Sequence, residues 1–297
     1  MGDLRLRSLA DANHGILTTS VLLTEFTKRE CRRMVDSGTV HRVWHGIYST
    51  KPPDLETKLA GLDSAFGVDV VACIDTAAAL WGFDVKESPT VHILDPLTRD
   101  RNNRKGLVVH QRPGAPVTKH NGRWLTEPDW TAIEFARTLR RPRALAALDA
   151  ALSSRHCSPD GLAAAAEQQA GRRGIVQVRK LLDLACADAA SPMESESRLI
   201  MLDGGLPAPQ LQFPVLDDRG MAKYFLDFAW PGAKVGAEYD SDAFHGGPLD
   251  VRRDKARISW LQDHGWLIIY ITADDIRRPH ELVARIKKHL IARSSAA

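Results

Sequence analysis

Carboxylates and strand-forming residues interleave most tellingly in the segment YFLDFAWPGAKVGAEYD, residues 224–240. If Pro231 to Lys234 form a turn, Trp230 lies opposite Val235, and counting back along both strands sets Asp227 opposite Glu238. Side chains alternate along a strand, so Asp240 shares the face of Glu238, while Leu226, Phe228, Trp230, Val235, Ala237 and Tyr239 make an apolar face. On the acidic face the small Ala229 and Gly236 leave room for a ligand. Like charges opposed on a sheet cost up to about 1 kcal/mol at a surface, and more when buried, so a positive partner is required. Mg²⁺ (or Mn²⁺) suits that role. A hard divalent ion takes one or two carboxylates, waters and a phosphate oxygen, polarises a phosphodiester and acidifies an attacking water. The competing reading is a solvated hairpin whose carboxylates are bridged by Arg or Lys.

His245 follows in the Gly-rich exit SDAFHGG, where an imidazole could transfer a proton or bind a phosphate. The next helix carries Arg252, Arg253, Lys255 and Arg257, a basic rim of the kind a phosphodiester needs, or else a solvated helix face. Glu194, three residues after Ser191, fits a capping box, with Arg198 one turn on as an ion-pair partner. A functional Glu194 would instead help to hold the water shell of the metal.

The elements that must position these residues can be read from pattern. Ser191 and Pro192 start a helix that Gly204 and Gly205 end. QLQFPVL, KYFLDFAW and KVGAEYD read as strands, Leu249 to His264 as a helix closed by Gly265, and WLIIYIT as a last strand. At the other end, residues 3 to about 50 read as helices and a hairpin turning at His45 and Gly46, a winged-helix pattern. Thr27 with Glu30 starts a helix that puts Cys31, Met34 and Val35 on one side and Arg29, Arg32, Arg33 and Asp36 on the other. That basic stripe, with Arg42 in the hairpin, fits a DNA groove, although a solvated face has the same composition.

Between these ends, CIDTAAALWGF reads as a buried strand or helix start, VHILDP and LVVHQRP as strands, and PDWTAIEFARTL and RALAALDAAL as amphipathic helices. Arg99, Arg101, Arg104 and Lys105, and Arg137, Arg140, Arg141 and Arg143, form two basic clusters that suit phosphates or a solvated surface equally.

A chain of 297 residues suits two or three domains. The expected division is 1–52, 53–190 and 191–297, giving a multi-domain α/β fold. The 44% hydrophobic and 26% charged fractions exclude disorder and fibrous architectures, and a net charge of +3 neither requires nor excludes nucleic acid. The cysteines Cys31, Cys73, Cys157 and Cys186 lack zinc-site spacing. With no apolar signal core in MGDLRLRSLADANHG and no run able to span a bilayer, the expected address is cytoplasmic, without a membrane partner.

The phrases SPMESESRL, LDFAWP, AEYDS, FHGG, RRDKARISWLQDHGW and YIT, in this order over residues 191 to about 290, resemble the Vsr-like branch of the PD-(D/E)XK nuclease superfamily. The resemblance implies a restriction-endonuclease-like αβββαβ domain and a Mg²⁺-dependent DNA endonuclease. In it Asp227 and Glu238 take the metal positions, His245 that of the active-site histidine, and Glu194 the first-helix acidic position. Asp240 stands where the signature lysine would be, so catalysis would lean on His245 or Lys255. GILTTSVLLTEF and MVDSGTVHRVWHGIYS are similar to the winged helix of AbiEi-type antitoxins, and the middle region is similar to the part of such proteins C-terminal to that winged helix. This second resemblance implies promoter DNA and a nucleotidyltransferase-like toxin as partners, and a non-catalytic autoregulator as the alternative to a nuclease.

Overall fold

The structure, a computed structural model, describes residues 2–83, 88–96, 104–240 and 248–294. It is a mixed α/β chain whose strands form three sheets. Two compact units make it up, residues 1–80 with 85–131 and residues 81–84 with 132–297.

The first unit opens with α1 (Gly2–Ala12), β1 (Ile16–Thr18), α2 (Thr19–Glu25), α3 (Lys28–Asp36), β2 (His41–Trp44) and β3 (Ile47–Ser49). The expected capping box forms: the Thr27 hydroxyl receives the amide of Glu30, whose carboxylate receives the amide of Thr27. The hairpin turns at His45 and Gly46, where a φ of +76° favours glycine. Strand β3 pairs with both β2 and β1; the latter, at three residues, is too short to alternate visibly in sequence. Leu6, Leu17, Leu22, Phe26 and Val40 form the core beneath, and Cys31, Met34 and Val35 pack against it from α3. Arg29, Arg32, Arg33 and Asp36 remain exposed.

Next come α4 (Leu55–Phe66), β4 (Val71–Ala72), α5 (Ile74–Leu80), β5 (Val91–Leu94), β6 (Leu107–His110), β7 (Val117–His120) and β8 (Arg123–Thr126). CIDTAAALWGF is therefore mostly helix, and the strands form a mixed sheet in the order β6-β5-β4-β8-β7. The expected boundary at residue 52 falls inside this unit. Trp44 donates its indole N–H to the Lys58 carbonyl at 2.8 Å, and a Cβ on Gly61 would lie 2.9 Å from the Trp44 ring. The hairpin and α4 thus share one packing interface.

Helix α6 (Pro128–Ala136) crosses the division; the second unit continues with α7 (Arg141–Ser153), α8 (Pro159–Gln168), α9 (Ile175–Leu182) and α10 (Pro192–Asp203). Helix α7 departs from the amphipathic expectation: Ala144 to Asp149, Ala151 and Leu152 are all buried, since its alanines let neighbours close in on every side. The Arg198 side chain reaches Asp149 of α7 at 2.7 Å and the Leu184 carbonyl at 2.6 Å, instead of the expected Glu194. Arg140 and Arg143 pair with Glu196, and Arg141 with Asp203. Those arginines belong to internal ion pairs, which also put the expected boundary at residue 190 inside one unit. Arg104 and Lys105 are exposed, whereas Arg99 and Arg101 lie outside the described residues.

The remainder is β9 (Gln210–Leu216), β10 (Ala222–Trp230), β11 (Val235–Tyr239), α11 (Pro248–Asp263), β12 (Leu267–Ile271), α12 (Ala273–Arg277) and α13 (Pro279–Ser294). The four strands form a sheet in the order β12-β11-β10-β9, antiparallel except for the parallel β11–β12 pair. Both faces are covered. One cluster joins Phe228, Trp230, Val235, Ala237 and Ile269 to Met201 of α10 and Leu282 and Ile286 of α13. The other joins Leu226, Ala229 and Trp266 to Leu261 of α11.

Candidate functional site

The β10–β11 register is the one expected, with Trp230 opposite Val235 and Phe228 opposite Ala237. The next positions along are Asp227 and Glu238. Here the Asp227 carboxylate accepts the backbone N–H of Tyr239 at 2.9 Å, so it replaces a backbone group as partner to β11. On the other side of β10 the pairing passes from Leu226–Phe213 to Phe228–Leu211 with no pair at Asp227 and Gln212, and Gln212 has a φ of +44°.

At that step the sheet changes face. Leu226 packs with Ala229 and Trp266, whereas Phe228 packs in the opposite cluster. This corrects two expectations. Leu226 does not share the face of Phe228, because the strand is irregular at Asp227. Nor do Ala229 and Gly236 leave ligand space: Ala229 is fully buried, and a Cβ on Gly236 would meet Leu226 and Ile268 at 2.9 Å. Glu238 and Asp240 sit at the C-terminal end of β11, and Asp227 lies within β10.

Two of them converge on Gln212. Its amide donates to Glu194 at 3.1 Å and reaches Asp227 at 3.5 Å. Glu194 also takes the Ala190 N–H and the Ser191 hydroxyl, each at 2.9 Å, so it closes the first turn of α10 and belongs to the acidic group as well. Glu238, 8% exposed, is gripped by both terminal nitrogens of Arg257, one of them at 2.7 Å. Arg257 also donates to the Phe225 carbonyl at 3.0 Å and lies over the Tyr224 ring. Burial pushes the Glu194, Asp227 and Glu238 carboxyls above their ordinary values. The Arg257 hydrogen bonds pull Glu238 back, while Asp227 and Asp240 push it up further.

Beside this group lies an open cavity lined by Glu238, Tyr239, Asp240, Asp254, Arg257 and Tyr270, with Ile258 on its wall. Asp240 is exposed there, its amide bound to the Ile271 carbonyl. Lys255 is exposed on α11 and does not line the cavity. His245 lies outside the described residues.

A divalent cation does not fit the described arrangement. Both Glu238 oxygens face a guanidinium, one Asp227 oxygen faces an N–H, and no group of three His, Cys, Asp or Glu able to hold a metal occurs among the described residues. The carboxylate bridged by an arginine, one of the two sequence readings, is what occurs at Glu238. Gln212 carries no mark in the sequence: only the β9–β10 register brings it across from Asp227.

At the N-terminal end a groove of about 610 Å³ runs between α2, α3 and the β2–β3 hairpin. Leu22, Leu23, Val35 and Tyr48 form its apolar walls, and Lys28, Arg32 and Arg42 its basic ones. Arg29 and Arg33 are exposed on α3 but do not line it. Among the described residues no helix is long and apolar enough to cross a membrane.

These features define a mixed α/β protein with a basic helix–hairpin end and an arginine-locked acidic end. Residues 70–184 match the family described as the AbiEi antitoxin C-terminal domain, in the stretch where the sequence resembles such proteins. The chain is 49% identical over 265 residues to the uncharacterized protein Rv2248 of Mycobacterium tuberculosis (strain ATCC 25618 / H37Rv). It is equally similar to the uncharacterized protein MT2308 of strain CDC 1551 / Oshkosh, with 89% of this chain and 97% of the relative covered in each case. The chain belongs to the family of these mycobacterial proteins.

Proposed function

We propose that this protein is a DNA-binding regulator of the AbiEi antitoxin type, in which residues 1–52 are a winged helix and residues 191–297 a non-catalytic, endonuclease-like part of the second unit. The observation that carries this reading is the family match over residues 70–184. The N-terminal geometry supports it: α3 buries no residue, displays Lys28, Arg29, Arg32 and Arg33 to solvent, and is followed by a hairpin bearing Arg42. A helix of this kind enters the major groove while the hairpin tracks the backbone. A nucleotidyltransferase-like toxin is the protein partner that the antitoxin resemblance implies.

Fluorescence anisotropy with DNA from upstream of the gene tests the proposal. Specific DNA is expected to bind at least tenfold more tightly than random DNA of equal length, and equal affinity for the two would refute it. Co-purification with the product of an adjacent toxin gene tests the second partner.

The competing reading is a Mg²⁺-dependent nuclease. One observation favours it, the gathering of Glu194 and Asp227 on Gln212 beside Glu238. The arginine on Glu238 weighs against it, because both carboxylate oxygens that would take the metal already accept from a guanidinium. Metal-dependent cutting lost in Glu238→Gln would establish that reading instead.

A further inference from the structure

We infer that Arg257 is a built-in cation of the acidic site, taking the place a divalent metal ion would need and keeping such ions out. The inference deepens the non-catalytic reading of the C-terminal domain and rests on it.

Three observations meet at this side chain. First, its grip is two-pronged: each terminal nitrogen of Arg257 donates to a different oxygen of Glu238, so neither oxygen keeps its lone pairs free toward the guanidinium side. Second, Arg257 is fixed by more than Glu238. The Phe225 carbonyl accepts from it at 3.0 Å and the Tyr224 ring lies 5.5 Å beneath its guanidinium carbon. Its helix is anchored through the buried Leu261 one turn on. Third, the other carboxylate of the pair is committed as well. Asp227 receives Tyr239 N–H, and Gln212 bridges it to Glu194. Glu194, Asp227 and Glu238 therefore each have a donor already, and the charge the site requires is supplied from α11.

The cavity beside Glu238 and Asp240 shows what removal of the guanidinium would open. Its walls hold Asp254 and Tyr270 in addition, and it measures about 490 Å³ with Arg257 as one wall, so withdrawing the guanidinium leaves that open pocket wider and lined mainly by acids. Such a pocket, without its cation, attracts a hard divalent ion.

Electron paramagnetic resonance of Mn²⁺, titrated into the whole protein, tests this without any assay of activity. The wild type is expected to leave Mn²⁺ free, and Arg257→Gln to bind one ion at least tenfold more tightly. That gain should disappear in the double variant Arg257→Gln/Asp227→Asn. Equal binding by wild type and Arg257→Gln, or none by a folded Arg257→Gln, overturns the inference. If Arg257→Gln does not fold by circular dichroism, Arg257→Lys serves, because a point charge on a flexible stem covers one oxygen only. A smaller gain is then expected, and unchanged affinity overturns the inference. DNA cleavage by the wild type would instead remove the non-catalytic reading beneath it, so the two failures are told apart.

Discussion

At Glu238 a nearly buried carboxylate and a partly buried arginine neutralise each other, and that pair governs how the C-terminal domain responds to change. Removing one member strands the other: Arg257→Ala is expected to lower stability by about 3 kcal/mol, measured by urea unfolding, because Glu238 loses both of its guanidinium bonds. Asp227 gives a different signature. Burial holds its carboxyl above the ordinary value, so between that ordinary value, about pH 4, and its folded value the native state holds a proton the unfolded chain has lost. Stability from this group therefore falls as pH rises through that window, by at most about 1.4 kcal/mol per pH unit. Asp227→Asn removes the titration, and its unfolding free energy should decline less steeply than that of the wild type across the same range. Parallel profiles would rule out the burial account.

Among the elements, α3 carries the DNA proposal. Its capping box makes Thr27→Ala expensive, at about 1 kcal/mol of stability, with a matching loss of DNA affinity only if the helix frays. Arg32→Ala with Arg33→Ala should leave the melting temperature within about a degree or two, since both side chains are exposed. The same pair should weaken DNA binding and reduce the slope of log affinity against log salt by about 2, one for each phosphate no longer neutralised. An unchanged slope would remove α3 from the interface. This helix was legible in the sequence because its cap and its 3.6-residue stripe agree. The β10–β11 register was legible for a similar reason, a turn rich in Pro and Gly between two alternating strands. The break at Asp227 and Gln212 was not, because a change of face within one strand leaves the sequence alternation intact. The role of Arg257 was only half legible: composition marks a basic helix, but which carboxylate it meets depends on how α11 crosses the sheet.

Across the whole molecule, each unit is held by interactions that run over apparent linkers. Asp149 and Arg198 are both buried and pair across residue 190, so a chain cut there exposes an acid on one piece and leaves a base unpaired on the other. Residues 191–297 expressed alone are expected to lack a cooperative thermal transition, which calorimetry would show. A sharp transition would make that segment an independent domain. Composition shifts mark residue 190 as a change of pattern, but a buried ion pair between helices far apart in sequence leaves no local trace.

Binding DNA without cutting it is the behaviour that separates an arginine-locked regulator from a nuclease. Both halves are read at once by a denaturing gel of end-labelled upstream DNA, incubated to saturation with the protein in Mg²⁺ or Mn²⁺, alongside a native gel of the same samples. A retarded band is expected on the native gel and full-length strands on the denaturing one. Shortened strands that disappear with Glu238→Gln, or no retardation at any protein concentration, would defeat this reading of the protein.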